Sequence, residues 1–219
     1  MIEHKNIVVT GASSGIGLAI AEKFLAEGHA VTGFDVKESA LSHPRYRHIA
    51  ADIREAAAEG LPPTEILVNN AGTLEEEAAI DVNLSGTIRF TRQFLASPSL
   101  RSVLFIASAS ARNGAEFPLY VASKAGVVGY MKNLALSLAK RGVTCNSISP
   151  GGVITPANRH ILENPALYEA VKAETLLGKW AEPEEIGELA YYLTVLNRSI
   201  TGEDILIDNG EMLKSNFIW

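Results

Sequence analysis

Cysteine, long apolar runs and clusters of positive charge are all scarce in this sequence. Cys145 is the single cysteine among 219 residues, so no disulfide can form within the chain, which suits a reducing compartment. Nowhere do about eighteen apolar residues run together, as a membrane-spanning helix requires. The N-terminal residues MIEHKNIVVTGASS show no signal-peptide pattern, because a glycine-rich loop follows a short apolar strand at once. We therefore expect a cytoplasmic protein with no membrane contact.

Basic residues are too few and too dispersed to form a nucleic-acid-binding surface. The chain has 19 Lys and Arg against 25 Asp and Glu, which gives a formal net charge of −6. Nucleic-acid-binding domains carry clustered positive charge, so we expect no nucleic-acid partner. The histidines have no spacing that suits a metal ion, and we expect no metal site.

The apolar residues predict a single α/β domain over residues 1–219, because no linker rich in Pro, Ser or Gly divides the chain. Short apolar runs predict seven strands, at 6–10, 30–34, 46–50, 65–69, 102–107, 143–148 and 204–208. Helical periodicity predicts helices at 15–27, 75–96, 119–140 and 183–197. Strands that alternate with helices favour a parallel sheet with helices on both faces.

A glycine-rich loop, TGASSGIG at 10–17, joins the first strand to the first helix. Glycines permit a tight turn and the close approach of a ligand, and the helix N-terminus offers free N–H groups to a diphosphate. We therefore predict a dinucleotide site here, against the alternative of a glycine-rich turn without a ligand. Its residues would be Gly11, Ser13, Ser14, Gly15, Ile16 and Gly17.

Asp35 ends the second strand, about twenty residues after the glycine loop, where dinucleotide-binding folds place an acidic residue. Its carboxylate can accept hydrogen bonds from both ribose hydroxyls of NAD, and it would repel the 2′-phosphate of NADP. Ser14 occupies a position where an arginine would favour NADP. We predict NAD as the cofactor, and the alternative role of Asp35 is that of a strand-end turn residue.

Five motifs follow one another along the chain: TGASSGIG (10–17), NNAG (69–72), VNLSG (82–86), YVASK (120–124) and ISPGGVIT (148–155). With the segment 181–210, they resemble the short-chain dehydrogenase/reductase family, in its compact NAD(P)-dependent branch. The resemblance implies a Rossmann-type doubly wound sheet of seven parallel strands in the order 3-2-1-4-5-6-7. It also implies hydride transfer between the cofactor and a small-molecule substrate, a secondary alcohol or a ketone. A dinucleotide-binding sensor or scaffold that does not catalyse is the alternative.

Tyr120 and Lys124 stand four residues apart, so a helix would place both side chains on one face. A phenol could take the proton that an alcohol loses on oxidation, but its ordinary pKa is near 10. Action near neutral pH requires that pKa to fall by about three, roughly 4 kcal/mol, and a neighbouring ammonium contributes to the fall. The resemblance implies that Tyr120 is the general acid/base. It implies that Lys124 lowers the pKa of Tyr120 and holds the nicotinamide ribose.

The resemblance implies two further catalytic residues. Ser108, at the end of the fifth strand, would hydrogen-bond the substrate oxygen, and Ser110 is the rival assignment. Asn83 would sit in a distorted helix and hold a water that links Lys124 to solvent. The alternative for Asn83 is a solvent-exposed position without a role.

The remaining predicted cofactor contacts follow the third, fourth and sixth strands. Asn70 is expected mainly to tie neighbouring strands together. Asp52 would reach the adenine amino group or cap a short helix at 53–58. The resemblance implies that the segment after the sixth strand contacts the nicotinamide carboxamide, and the alternative is a proline–glycine turn without a ligand. The residues of this group are Asp52, Ile53, Asn70, Ala71, Gly72, Pro150, Gly151, Val153 and Thr155.

Three connections, 36–51, 53–64 and 73–82, are shorter than the family pattern, so we expect trimmed helices there. A substrate lid is expected at 156–180, where apolar side chains could line a pocket. The resemblance also implies a homodimer or homotetramer. The apolar tail NFIW at 216–219 would be poorly placed in water, which favours its burial at a subunit contact or against the lid, and the alternative is a frayed terminus.

Overall fold

The structure is a computed structural model that describes residues 4–115 and 117–213. The apolar tail 216–219 therefore lies outside the described residues. The seven predicted strands are present within one or two residues of their expected bounds. They are β1 (Asn6–Thr10), β2 (Ala30–Asp35), β3 (Tyr46–Ala50), β4 (Ile66–Asn69), β5 (Ser102–Ile106), β6 (Thr144–Pro150) and β7 (Asp204–Ile207).

The strands form one parallel sheet in the order β3-β2-β1-β4-β5-β6-β7, which confirms the predicted fold. β1 lies in the middle, with Val8 opposite Thr32 of β2 and Leu67 of β4. The chain moves outward from β1 to β3 and then crosses to β4 on the other side. In doubly wound sheets this reversal opens a crevice at the carboxyl ends of the strands, and ligands bind there.

Among the described residues, eight α-helices connect the strands or follow them. They are α1 (Gly15–Ala26), α2 (Glu76–Ala79), α3 (Thr87–Arg92), α4 (Ser110–Asn113), α5 (Pro118–Leu138), α6 (Arg159–Leu162), α7 (Pro165–Ala173) and α8 (Pro183–Tyr191). Two π-helical segments, Ile80–Gly86 and Tyr192–Leu196, continue α2 and α8. α5, α7 and α8 all begin at a proline, which suits the first helical position because proline lacks an N–H and has a fixed φ.

Two apolar layers hold the helices on the sheet. Side chains of β1 alternate between them, so that Val9 packs with Phe24 of α1 on one face and Val8 packs with Phe90 of α3 on the other. α8 joins the first layer and α5 joins the second. This two-sided burial explains why the strands read as continuous apolar runs.

The connections that the sequence shows to be short are irregular. Residues 36–45 and 51–65 form turns and extended chain without a helix. The expectation of a helix at 53–58 is therefore wrong. The chain makes a single turn in which the carbonyl of Asp52 accepts the N–H groups of Glu55 and Ala56, and Ala58 then donates to the side chain of Gln93.

Candidate active site

The glycine loop folds so tightly that side chains would not fit at three of its positions. Gly11 and Gly15 have φ of +68° and +52°, which favour glycine. A Cβ at Gly17 would stand 2.0 Å from the carbonyl oxygen of Gly11, and one at Gly11 would stand 2.7 Å from Nδ2 of Asn70. The loop delivers the chain to the N-terminus of α1, whose first N–H groups have no helical partner. This cradle fits a dinucleotide diphosphate.

Thr10 and Asn70 lock the loop to the neighbouring strand. Oγ1 of Thr10 accepts the N–H groups of Asn70 and Ala71, both at 3.0 Å, and Thr10 is 1% exposed. Nδ2 of Asn70 donates to the carbonyls of Thr10 and Gly11, both at 3.1 Å. Asn70 therefore ties β1 to β4, as its sequence position predicts. The sequence analysis did not identify Thr10. The one feature that could have indicated it is a hydroxyl residue at the end of an apolar strand.

Asp35 is buried at the end of β2 with its carboxylate fixed at both oxygens. Oδ2 accepts the N–H of Ser13, and Oδ1 accepts the N–H of Lys37, each at 2.9 Å. A carboxylate oxygen has a second lone pair, so each oxygen could still accept one ribose hydroxyl. The bond from Ser13 also places this carboxylate beside the glycine loop.

Asp52 pairs with a residue that the sequence analysis did not single out. Its carboxylate accepts the backbone N–H and the guanidinium of Arg54, at distances from 2.7 to 3.1 Å. Arg54 also donates to Asp81 at 3.1 Å, at the start of the π-helical segment. The hydrogen bonds from Arg54 hold the pKa of Asp52 below its usual range. Ile53 is packed in the core, so only its backbone could contact a ligand.

Tyr120 and Lys124 lie one turn apart in α5, with Nζ of Lys124 5.7 Å from the centre of the Tyr120 ring. Lys124 is 6% exposed, and its Nζ donates to the carbonyl of Ile106, the last residue of β5, at 3.0 Å. A Cβ built at Gly72 would lie 3.5 Å from the same Nζ. The ammonium is therefore held where β4 and β5 end.

Asn83 lies inside the π-helical segment and is 1% exposed, so the solvent-exposed alternative is wrong. Its Oδ1 accepts the N–H of Thr73 at 2.7 Å, and its Nδ2 donates to the carbonyl of Thr73 and to Oγ of Ser123. A Cβ at Gly72 would lie 3.0 Å from Oδ1 of Asn83, so Asn83 and Lys124 border the same point. The helix distortion that the resemblance implies is present, since a π-helical segment departs from the normal hydrogen-bond pattern.

Ser108 follows β5 by two residues and is paired with Ser110. Oγ of Ser108 accepts the N–H of Ser110 at 3.2 Å and its hydroxyl at 2.9 Å. Ser108 is 9% exposed and Ser110 is 4% exposed. The two rival candidates thus form one hydrogen-bonded pair.

The segment after β6 closes the crevice from the other side. The carbonyl of Pro150 accepts the N–H of Ala109 at 2.7 Å, and Gly151 donates to Ile207 of β7. Thr155 is buried, and a Cβ at Gly15 would lie 3.2 Å from its Cγ2. Val153 is buried and bridges to Ala181. Pro150 therefore lies beside the Ser108 segment, and Thr155 lies against the glycine loop.

Residues 156–180 form the short helices α6 and α7 and the turns around them. Arg159 is exposed and pairs with Glu163 at 3.5 Å. Tyr168 packs edge-on against Trp180, and the carbonyl of Asn209 accepts the N–H groups of two residues at the end of this segment, Leu176 and Leu177. The segment is thus attached to the turn after β7.

Neither a metal centre nor a membrane span emerges from the described ranges. Within 4–115 and 117–213, no group of at least three His, Cys, Asp or Glu residues is placed to hold a metal ion. No helix in those ranges combines the length and apolar character that crossing a membrane requires.

Comparisons with known proteins show which family this chain resembles. Residues 49–211 match the family model described as enoyl-(acyl carrier protein) reductase. D-beta-hydroxybutyrate dehydrogenase of Cupriavidus necator is 33% identical over 89% of this chain and 92% of its own. L-rhamnose 1-dehydrogenase (NAD(P)(+)) of a Sphingomonas species is 29% identical, over 96% of this chain and 97% of its own. A solved structure of 4-hydroxyisoleucine dehydrogenase complexed with NADH is 28% identical, covers 97% of this chain and 100% of its own, and has a TM-score of 0.87.

Proposed function

This chain belongs to the short-chain dehydrogenase/reductase family, and we propose that it transfers a hydride between NAD(H) and a secondary alcohol or ketone. The observation that carries the proposal is the placement of Tyr120, Lys124 and Ser108 around the ends of β4, β5 and β6. The bound cofactor supplies the hydride acceptor or donor. The protein residues then have to hold the dinucleotide, fix the substrate oxygen and move one proton.

Tyr120 acts as the general acid/base on the substrate oxygen. The ammonium of Lys124 lies 5.7 Å from its ring and is buried, so its charge is weakly screened and favours the phenolate form. Because Nζ also donates to Ile106, the ammonium keeps its position as the phenol gains or loses its proton.

Ser108 binds the same substrate oxygen, polarising a carbonyl or positioning an alcohol against Tyr120. Asn83 holds a water that links Lys124 to solvent and so carries the proton outward. The bonds of Asn83 to Thr73 and Ser123 support this role, because they fix its amide beside the ammonium.

The dinucleotide is held by the glycine loop, by Asp35 and by the segments after β3, β4 and β6. Two bonds from backbone N–H groups keep Asp35 in one orientation. A fixed, buried carboxylate repels a 2′-phosphate, which supports NAD over NADP. The residues proposed to contact the cofactor are Gly11, Ser13, Ser14, Gly15, Ile16, Gly17, Asp35, Asp52, Ile53, Asn70, Ala71, Gly72, Tyr120, Lys124, Pro150, Gly151, Val153 and Thr155.

Several wider properties belong to the same proposal. The chain is one domain over 1–219, with a substrate lid at 156–180. It acts in the cytoplasm as a homodimer or homotetramer. The names of the relatives favour small hydroxylated substrates, among them hydroxy acids, sugars and hydroxy amino acids.

The test is a substrate panel read at 340 nm with the native protein and a Tyr120→Phe variant. The panel contains D-3-hydroxybutyrate, L-rhamnose, D-glucose and 4-hydroxyisoleucine, each with NAD and with NADP. Tyr120→Phe should lower kcat by at least about 100-fold, because general acid/base catalysis contributes 10²–10⁴-fold, and it should still bind NADH. Turnover with NADP alone would overturn the role of Asp35, and a Tyr120→Phe variant as active as the native protein would overturn the mechanism. NADH binding without turnover of any compound would support the sensor alternative.

A further inference from the structure

The two serines after β5 form a pair in which one hydroxyl directs the other. The N–H of Ser110 can only donate, so its 3.2 Å bond fills one acceptor position of the Ser108 oxygen. The hydroxyl of Ser110 lies 2.9 Å from the same oxygen and can fill the second. A hydroxyl has two acceptor positions and one donor. Either hydroxyl can donate across this distance, but when the Ser108 O–H turns to a substrate oxygen, the Ser110 hydroxyl can still donate to Ser108. No other described residue accepts from either hydroxyl.

The substrate oxygen needs a hydrogen-bond donor at the position of Ser108. A ketone oxygen only accepts hydrogen bonds, and it gains negative charge as the hydride arrives at carbon. If Ser108 could instead accept from the substrate, a bound alcohol could turn its proton toward Ser108 and away from Tyr120. Filling both acceptor positions of Ser108 prevents this.

We propose that Ser110 is a positioning residue that commits Ser108 to donating its hydroxyl proton to the substrate oxygen. The inference rests on the proposed function, because it assumes that Ser108 contacts substrate. Ser110 itself is nearly fully buried and acts through Ser108.

The surroundings hold Ser110 in this position although its helix is very short. α4 has four residues, too few to be stable alone, so its position depends on tethers. At its start, Ala109 donates to Pro150 of β6. In its last turn, Nε of Arg112 donates to Oδ2 of Asp204 at 2.8 Å, and the guanidinium also bonds the carbonyl of Asp204.

Asp204 is in turn fixed to the sheet. Its Oδ1 accepts the hydroxyls of Ser147 and Ser149, each at 2.7 Å, and its side chain is 8% exposed. The tether therefore runs from α4 across β6 to β7. It holds the backbone of Ser110 in a fixed relation to Ser108.

The experiment compares four proteins with the native chain: Ser110→Ala, Ser108→Ala, the double variant and Ser137→Ala. Ser137 is a matched control, an exposed serine of α5 whose hydroxyl bonds only the carbonyl of Leu134 among the described residues. The substrate is the panel compound that the native protein oxidises fastest. The readouts are kcat and the KM for NAD.

We expect Ser110→Ala to lower kcat about tenfold, as the loss of one orienting hydrogen bond does, with the KM for NAD changed by less than about twofold. Ser108→Ala should lower kcat about 100-fold, as the loss of an oxyanion donor does. The double variant should match Ser108→Ala, because a residue that acts only through Ser108 has no effect once Ser108 is gone. Ser137→Ala should match the native protein.

Other outcomes overturn the inference. A double variant about tenfold slower than Ser108→Ala would show that Ser110 acts independently. A Ser110→Ala variant slower than Ser108→Ala would make Ser110 the residue that contacts substrate, and an unchanged Ser110→Ala would leave it without a role. A native-like Ser108→Ala would refute the proposed function of Ser108 and the inference together. A native protein inactive on the whole panel would refute the proposed function itself, and the inference with it.

Discussion

Asp35, Ser108 and Asn83 share one property at the scale of single residues. Each uses part of its hydrogen-bonding capacity on the protein, and under the proposed function the rest serves a ligand or water. Asp35 accepts two backbone N–H groups and retains one lone pair on each oxygen. Hydrogen bonds to the protein hold such a side chain in one orientation, and its remaining hydrogen-bonding positions stay open. A preorganised site requires both.

The protonation state of His29 affects the stability of the fold, and His29 has no part in the candidate site. It is fully buried between Phe24 and Tyr191, and its Nδ1 accepts the N–H of Lys5 at 3.2 Å. Nε2 has no partner among residues 4–115 and 117–213. Burial, reinforced by the charge of Lys5, lowers the pKa of His29 in the folded state.

The lowered pKa of His29 predicts acid destabilisation. The unfolded chain binds a proton at His29 near pH 6.5, whereas the folded chain binds it only at lower pH. The contribution to stability is therefore complete above about pH 6.5, and below it the free energy of unfolding falls by up to about 1.4 kcal/mol per pH unit until the folded pKa is reached. Urea denaturation at pH 7.5 and pH 5.5 measures this fall.

His29→Asn should remove that pH-dependent part, because asparagine keeps an acceptor near Lys5 and has no proton to gain. His43→Asn is the matched control, since the exposed His43 also accepts a backbone N–H through Nδ1. The control should keep the acid sensitivity of the native protein. Equal sensitivity in His29→Asn would assign the effect to another group.

At the scale of elements, strands were easier to predict from the sequence than the connections between them. β1, β4 and β5 are buried apolar runs, and such runs depend only on local sequence. α1 was predictable for the same reason, because Gly28 follows its end. The glycine loop could be predicted as well, since its conformation is encoded in its own glycines.

Contacts between distant residues were not predictable. Arg112 and Asp204 stand 92 positions apart, and nothing in either segment indicates the other. The tie from Asn70 to β1 was expected only through the family resemblance, which supplies the neighbouring positions of β1 and β4, and its partner Thr10 was not identified. The predicted helix at 53–58 is absent, because the guanidinium of Arg54 hydrogen-bonds the carboxylate of Asp52 and stabilises a turn.

Alanine substitutions at two glycines test whether the tight packing of the glycine loop contributes to stability and to NADH binding. Gly17→Ala would place a methyl group 2.0 Å from the carbonyl oxygen of Gly11, so the loop must open. We expect a loss of about 2 kcal/mol in the free energy of unfolding, as overpacking typically costs, and a large loss of NADH binding. Urea denaturation and NADH fluorescence measure the two effects.

Gly129→Ala is the matched control in α5, because no atom of the described chain lies within 4 Å of a Cβ built there. It should leave NADH binding unchanged, because the added methyl group meets no atom of the described chain. A Gly17→Ala variant with native stability and native NADH affinity would show that the crowding seen at Gly17 is relieved without cost.

At the scale of the whole molecule, short connections leave the sheet with few helices. α1 and α8 cover one face, and the helical stretch 76–92 and α5 cover the other. Residues 36–45 and 51–65 contain no helix, and in the third short connection, 73–82, α2 begins only at Glu76. Thr73 in this third connection bonds Asn83, so one of the short connections directly contacts a candidate site residue.

The outer face of α5 bears on the proposed assembly. Ala122, Ala125, Gly129, Asn133 and Leu136 are exposed and recur at helical spacing, so they form one face, which also carries the exposed Lys132. Leu136 is 81% exposed. Small residues allow another helix to approach closely, and covering Leu136 at such a contact would remove apolar surface from water. If the protein is a homodimer or homotetramer through α5, this face is the contact.

Leu136→Glu should then dissociate the assembly, because a carboxylate buried against its own symmetry copy is costly. Size-exclusion chromatography with light scattering should give two or four copies for the native chain and fewer for the variant. Leu177→Glu is the matched control, since Leu177 is 69% exposed but lies outside α5, and its assembly should be native. A native chain that elutes as a monomer would refute the proposed assembly. A Leu136→Glu variant with native mass would refute the place of α5 in it, because two apposed carboxylates cannot remain unpaired in a tight helix contact.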